Sequence, residues 1–231
     1  MRDTPRSMAD AQITYPHDLS EMIGWVEAQT PPGGRVLEIG CGDGALVRGL
    51  ADRISIVGVD PSASPARGIR QTSFEELEDD AFDVIFASVA LHHLHDPERG
   101  SEALRRLSKP GTIMLVREFD RELVADEPTL RWWHHQRLAR EVVDPEPEKT
   151  PISASFEEFR ERWWSEMERH VHPWSAVERM LAAAGFEQAR RVSAPYLFRW
   201  GLGEHLRPAE EHLFRERRIK EVGIRWTGVR P

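Results

Sequence analysis

The 231-residue chain has a single cysteine, no long apolar run and too little positive charge to balance its acids. One thiol, Cys41, rules out an intrachain disulfide, and that usage suits a reducing compartment. The opening MRDTPRSMADAQ lacks the apolar core of a secretory signal, and no stretch approaches the roughly 18 apolar residues of a membrane span. The expectation is a soluble, cytoplasmic protein with no membrane partner. Lys and Arg number 31 against 39 Asp and Glu, a formal net charge of −8. Neutralising a phosphate backbone needs the opposite surplus, so nucleic acid is a poor partner and a small-molecule substrate remains open. No internal repeat or low-complexity tract stands out.

What is present is an alternation of strand and helix. After a loose tail over residues 1–17, a helix is expected to start at Asp18 as N-cap and to carry Met22, Ile23, Trp25 and Val26. RVLEI reads as a strand, GALVRGLADR as a helix, ISIVGVD as a strand, IRQTS as a short one, and FDVIFASVAL and GTIMLVREF as two more. These runs are nearly continuous in apolar residues, as in strands buried on both faces of a parallel sheet. DPERGSEALRRLS, between the last two, carries an Asp N-cap with Pro at the first helical position. The pattern predicts an α/β fold with a doubly wound, mostly parallel, seven-stranded sheet forming one domain over 1–231.

The character changes after Phe119. Residues 121–172 are rich in Trp, His and charge, with helical patterns in TLRWWHHQRLAREV and SFEEFRERWWSEMERH joined by the Pro-rich DPEPEKTPIS. This segment reads as a helical insertion after the fifth strand, placed to act as a substrate lid. Beyond it, WSAVERMLAAAG is expected as a helix closed by Gly185, FEQARRVSA and YLFRWGL as strands, and PAEEHLFRERRIKEV as a terminal helix.

The chemistry concentrates in VLEIGCGDGALVRGL, where a strand ending in Glu38 and Ile39 runs into Gly40-Cys41-Gly42-Asp43-Gly44 and then a helix. Glycines permit positive φ and a close backbone approach to a ligand ahead of a helix. Asp60 ends the next strand, where a carboxylate can accept hydrogen bonds from ribose hydroxyls. GCGDGA also satisfies the loose dinucleotide pattern, which keeps a nicotinamide- or flavin-dependent oxidoreductase open. Glu38 and Asp43 have the wrong sign for a pyrophosphate but suit a ligand carrying an ammonium and a sulfonium. Cys41 reads as a small packed loop residue, not a nucleophile.

From Val36 to Glu118 the sequence resembles the class I S-adenosylmethionine-dependent methyltransferases, particularly those acting on small molecules. The resemblance rests on EIGCGDG, the acid in GVDPS, FDVIFASVALHHL and LSKPGTIML. It implies S-adenosyl-L-methionine as methyl donor, S-adenosyl-L-homocysteine as product, and an O, N or C nucleophile of a metabolite as acceptor. It places Glu38, Gly40, Cys41 and Gly42 on the methionine side, Asp60 with Pro61 at the ribose, and Ser73 and Phe74 beside adenine. Ser88, at the fourth-strand end, and Tyr15, folding over from the tail, complete the expected cofactor set. Many relatives have Asp where Ser73 stands, and PSASPARG is short and proline-broken where relatives carry a full helix. The Asn/Asp-Pro-Pro-aromatic signature of nucleic-acid methylation is absent.

Catalytic candidates follow from placement at the ends of the fourth and fifth strands: His92 and His93 in SVALHHLHDP, and Glu118 in LVREFD. A neutral imidazole there is suited to take a proton from an acceptor near neutral pH. The duller reading of Glu118 is an ion pair with a neighbouring Arg. Trp132-Trp133 and Trp163-Trp164 point about 100° apart within each pair on a helix, so both rings of a pair cannot face one way. His134 and His135 are adjacent rather than one turn apart, so no metal site is expected. A non-catalytic alternative is a cofactor-binding scaffold, dimeric through the Trp-rich insertion.

Overall fold

The computed structural model describes residues 16–143, 155–200 and 203–231. The buried apolar runs become β1 (Arg35–Ile39), β2 (Ser55–Val59), β3 (Ile69–Arg70), β4 (Phe82–Ser88) and β5 (Ser108–Phe119). With β6 (Glu187–Ala194) and β7 (Gly223–Val229) they form one seven-stranded sheet in the order β3-β2-β1-β4-β5-β7-β6. β3, β2, β1, β4 and β5 are mutually parallel, and β7 runs antiparallel to them. The helices among the described residues are α1 (Pro16–Gln29), α2 (Ala45–Leu50), α3 (Pro97–Arg106), α4 (Arg121–Val124), α5 (Glu127–Val143), α6 (Phe156–His170), α7 (Trp174–Ala183) and α8 (Arg207–Arg215).

Residue parity sorts the sheet into two core layers, because successive side chains leave opposite faces. Leu37, Ile39, Ile85, Ala87, Met114 and Val116 pack with α3 and α7 through Leu104, Val177 and Leu181. Val36, Val84, Phe86 and Leu115 face the other way, against Val26 of α1 and Val47 and Leu50 of α2. This parity continues past the apolar residues and decides where the polar ones go. Arg117 falls on the α1 face and Glu118 on the α3 face.

Several expectations need correction. Asp18 is no N-cap: α1 already begins at Pro16, and Asp18 is buried in its first turn, 3.8 Å from the Arg117 guanidinium. α2 is only six residues long, not the longer helix read from GALVRGLADR. YLFRW is not a strand, since Leu197–Trp200 forms a 3-10 turn; the helix expected over PAEEHLFRERRIKEV is α8, which stops at Arg215 and is followed by the strand β7. The turn is built around Glu210 of α8, a buried carboxylate that accepts from the backbone amides of Tyr196, Leu197 and Phe198 at 2.7, 3.0 and 2.7 Å. Three converging amides make a compact turn a better use of YLFRW than an extended ladder. Other local readings hold: Asp96 caps α3 by accepting from Glu98 and Arg99 amides, and Gly185 closes α7 at φ 92°. The Pro-rich DPEPEKTPIS lies outside the described residues.

The described residues separate into two compact units. One comprises Pro16–Phe119, Pro173–Val192 and Ile224–Pro231 and contains the sheet; the other takes the described parts of Asp120–His172 and Ser193–Gly223. The second unit is helical, with an aromatic core. Trp133 is fully buried and meets Phe159 and Trp163 edge-on at 5.9 and 6.1 Å between ring centroids. Trp164 is exposed and Trp132 half-buried, so one ring of each tryptophan pair packs inward. His134 stacks 4.6 Å from Phe159 and is buried.

Gln136, on α5, is buried with neither amide atom hydrogen-bonded. An unsatisfied buried polar group costs about 1–3 kcal/mol. Gln136→Leu, of similar volume, is therefore expected to raise the unfolding free energy by about 1 kcal/mol. Urea denaturation checks this; a loss of stability instead would mean that the amide holds a water or ligand.

Candidate cofactor and catalytic site

β1 has β2 on one side and β4 on the other, so the strand order reverses direction at β1 and β4, where open parallel sheets leave a crevice at their C-terminal ends. The glycine segment leaves β1 at this point. Gly40, Gly42 and Gly44 have φ of 71°, 53° and 77°. The Gly40 and Cys41 amides both donate to the Val59 carbonyl, at 2.9 and 3.1 Å, pinning the turn to β2. A Cβ on Gly40 would lie 2.4 Å from the Cβ of Ala90, so the turn rests directly on the segment that follows β4. A Cβ on Gly42 would meet nothing within 4 Å. Gly42 thus leaves an open cradle, while Gly40 is fixed by close approach.

Asp60 serves first as a latch. Its Oδ2 accepts from the Gly42 amide at 3.0 Å, and its Oδ1 accepts from the Ser62 amide and hydroxyl at 2.8 and 2.6 Å. Pro61 lies between, exposed. Asp43 is exposed and caps Ala45 at 3.0 Å while pairing with Arg48 at 3.2 Å. Surface pairs of this kind contribute little, so Asp43 is a helix-start residue before it is a field source.

Glu38 is the unusual group. It is 6 % exposed, and its Oε2 has no hydrogen-bond partner. Burial, with the charges of Asp43 and Asp60, pushes its carboxyl up to about 8, against a smaller opposing pull from Arg117. A buried carboxylate oxygen left bare beside an open glycine turn fits a cation-bearing ligand, and no phosphate would sit against it. Cys41 packs beneath the turn, and burial, then Glu38 and Asp60, push its thiol up to about 12. It is a packing residue without nucleophilic character near neutral pH.

Ser88 accepts from Arg117 Nε at 2.9 Å, which holds that guanidinium below Glu38 on the same sheet face. Phe74 is buried in the α3-side core, with its ring near Gly100. Ser73 is half-buried, and its carbonyl accepts from Glu76 at 3.3 Å. Tyr15 lies outside the described residues.

On the opposite sheet face, Glu118 and His92 meet. His92 Nδ1 stands 2.7 Å from Glu118 Oε2, and both side chains are 1 % exposed. Glu118 Oε1 accepts from the Ala90 and Leu91 amides, each at 3.0 Å. No arginine is among these partners of Glu118. His92 Nε2 is buried without a hydrogen-bond partner. The His93 ring lies tilted against that of His92, with 4.0 Å between the ring centroids. The turn they occupy, Leu91–His93, follows Val89, a β-branched residue at φ 55°. That conformation is costly for valine and is held by the Val89 amide on the Arg117 carbonyl at 2.8 Å.

Three contributors escaped the sequence reading. Gly58 must lack a side chain because a Cβ there would lie 2.8 Å from Cys41 Cβ and 2.6 Å from Val47. Asp18 and Arg117 form a buried charge pair 99 residues apart in sequence, which no local spacing announces. Among the described residues no group of three or more His, Cys, Asp or Glu is disposed to hold a metal ion. No helix among them is long and apolar enough to cross a membrane.

Residues 14–189 match the family described as Methyltransferase domain. The chain is 30% identical over 152 residues to a phosphatidylethanolamine N-methyltransferase of Cereibacter sphaeroides, covering 52% of this chain and 75% of that relative. It is 36% identical over 107 residues to a ubiquinone biosynthesis O-methyltransferase of Hahella chejuensis, covering 39% of this chain and only 45% of that one. A crystal structure of an S-adenosylmethionine-dependent methyltransferase from Methanosarcina mazei shares the fold, at a TM-score of 0.55 and 16% identity over 94% of this chain and 98% of that one.

Proposed function

The chain belongs to the methyltransferase-domain family and is an S-adenosylmethionine-dependent methyltransferase, and on that premise we propose that it methylates a small-molecule metabolite, with Glu38 and the Gly40–Gly44 turn receiving the cationic end of the donor. The observation that carries this reading is the bare, buried Oε2 of Glu38 at the open Gly42 cradle. Glu38 would hold the ammonium of the methionine moiety, Gly42 would leave room for it, and Asp60 would offer its remaining lone pairs to ribose hydroxyls while latching the turn. Ser73 and the backbone around it would border adenine, the ring of Phe74 being already committed to the core. When bound, S-adenosylmethionine supplies an electrophilic methyl carbon and leaves as S-adenosylhomocysteine. The protein's part is largely to hold the acceptor in line with that carbon, since orientation alone removes several kcal/mol of barrier (about 7–11 at the limit).

The net charge of −8 disfavours a nucleic-acid acceptor. The two relatives named above act, by their names, in phospholipid and quinone chemistry, which supports a metabolite acceptor. Titration calorimetry with S-adenosylhomocysteine and, separately, NADH tests the site. Saturable binding of the first and none of the second is expected; the reverse would make the site a dinucleotide pocket.

A further inference from the structure

Resting on the methyltransferase reading, we propose that His92 is the general base, that Glu118 is the residue positioning it, and that the acceptor is accordingly an un-ionised hydroxyl. The argument is geometric. A carboxylate can only accept, so Glu118 Oε2, 2.7 Å from His92 Nδ1, selects the tautomer with its proton on Nδ1 and leaves the lone pair of a neutral ring on Nε2. That nitrogen is buried and has no partner. A buried imidazole nitrogen left unsatisfied lowers stability, and such a group calls for a functional explanation. The other oxygen of Glu118 grips the Ala90 and Leu91 amides, so the same carboxylate that sets the tautomer also fixes the turn carrying the ring.

Position agrees with role. Ala90, one end of this turn, is the residue on which Gly40 of the cofactor turn rests. Base and donor cradle are therefore built on one contact, within the sheet-bearing unit. The turn also stores strain: Val89 at φ 55° persists because Arg117 and Glu118 over-determine the segment around it. Strain of this sort collects where a side chain must be aimed.

The dyad also selects an acceptor class. An already ionised nucleophile needs no base, whereas a phenolic or similar hydroxyl is a poor nucleophile until its proton leaves. In the step, Nε2 takes the hydroxyl proton as the oxygen forms its bond to the methyl carbon. The C–S bond breaks with its electron pair staying on sulfur, so the sulfonium charge passes to the imidazolium, which faces the Glu118 carboxylate. The proton then returns to solvent. His93 is the other titratable side chain in ring contact with His92.

The test compares wild type with His92→Gln and Glu118→Gln. Glutamine at position 118 keeps an oxygen for the Ala90 and Leu91 amides but presents an NH2 to Nδ1. The proton of His92 is then forced onto Nε2, where the lone pair is needed. S-adenosylhomocysteine should bind all three proteins within about threefold; failure of the wild type to bind would overturn the cofactor reading instead of this one. ¹⁵N imidazole spectra should show the Nδ1–H tautomer in wild type and Nε2–H in Glu118→Gln. With catechol, protonated near neutral pH, both variants should lose about 100-fold in methyl transfer from labelled donor, the range typical of a removed base. With 4-nitrocatechol, already ionised, they should lose less than about threefold, because no proton remains to be taken. Equal losses with both probes would mark a merely structural pair and overturn the proposal. So would turnover of neither catechol by a protein that binds S-adenosylhomocysteine, or an unchanged tautomer in Glu118→Gln.

Discussion

Glu38→Gln should make the ligand-free protein more stable and, at the same time, weaken S-adenosylhomocysteine binding by about 100-fold. The two halves have one cause. In the free protein the Glu38 carboxyl is pushed up to about 8 from an ordinary 4.5 by burial and by the charges of Asp43 and Asp60, with Arg117 and a backbone hydrogen bond from Val47 pulling the other way. The folded state therefore holds that proton more tightly than the unfolded chain does. The stability contributed by the protonated form is fully present below about pH 4.5 and is lost as pH rises through about 8, by a few kcal/mol at most. Glutamine does not titrate, so the variant should show a flatter stability curve over that window and exceed wild type most on its alkaline side. Binding inverts the sign, because an ammonium placed at Oε2 favours the carboxylate. Removing one partner of a buried charge pair costs about 3–5 kcal/mol, which is 100-fold in affinity or more. Wild-type binding should also release a proton and tighten towards tenfold per pH unit as pH rises to about 8. Calorimetry at about pH 6 and about pH 8, in buffers of different ionisation heat, reads both effects. Equal affinity in Glu38→Gln would show that the cationic end of the ligand lies elsewhere.

How far the sequence revealed this arrangement depended on whether the deciding interaction was local. Four of the five parallel strands, β1, β2, β4 and β5, were legible because each reads as a largely buried apolar run with a turn at either end, whereas β3 is two residues long with Arg70 exposed. The capped start of α3 was legible because Asp96 and Pro97 act within one turn. β7 escaped because GIRWTGV alternates instead of running apolar: Ile224 and Trp226 are buried, while Arg225 and Thr227 are half-exposed. Its two-residue period was a usable signal, obscured by the apolar YLFRW that precedes it. YLFRW itself was misread because its conformation is set by Glu210, more than ten residues downstream, which no strand or helix period encodes. At the site, the residue types were legible and their partners were not. Glu118 lies 26 residues from His92 and Arg117 lies 99 from Asp18. Face parity along β5 separates Arg117 from Glu118, yet what waits on each face is fixed only when α1 and the Leu91–His93 turn are folded against the sheet.

Gly40→Ala is expected to damage the cofactor turn far more than Gly42→Ala, and the comparison of the two separates two physical causes. Both positions have positive φ, 71° and 53°, where an L side chain costs about 1–2 kcal/mol. Only at Gly40 does the added carbon also collide, 2.4 Å from Ala90 Cβ, a separation that no real contact tolerates. Relief requires the turn to lift from the segment after β4, which breaks the hydrogen bonds that the Gly40 and Cys41 amides donate to the Val59 carbonyl and moves Gly42 off Asp60. Gly42→Ala should therefore lower stability by about 1–2 kcal/mol. Gly40→Ala should lose about 3 kcal/mol or more, because overpacking against backbone-anchored neighbours adds a further 1–3. S-adenosylhomocysteine affinity should fall at least 100-fold in Gly40→Ala. The second-site change Ala90→Gly removes the atom struck and leaves φ strained. If the collision dominates, Gly40→Ala/Ala90→Gly should recover most of the affinity, although glycine at position 90 itself costs about 0.5–1 kcal/mol. Denaturation midpoints and calorimetric affinities of the four proteins close the cycle. Additive losses would mean that the two segments do not press on each other, and the shared footing of donor cradle and His92 turn would be gone.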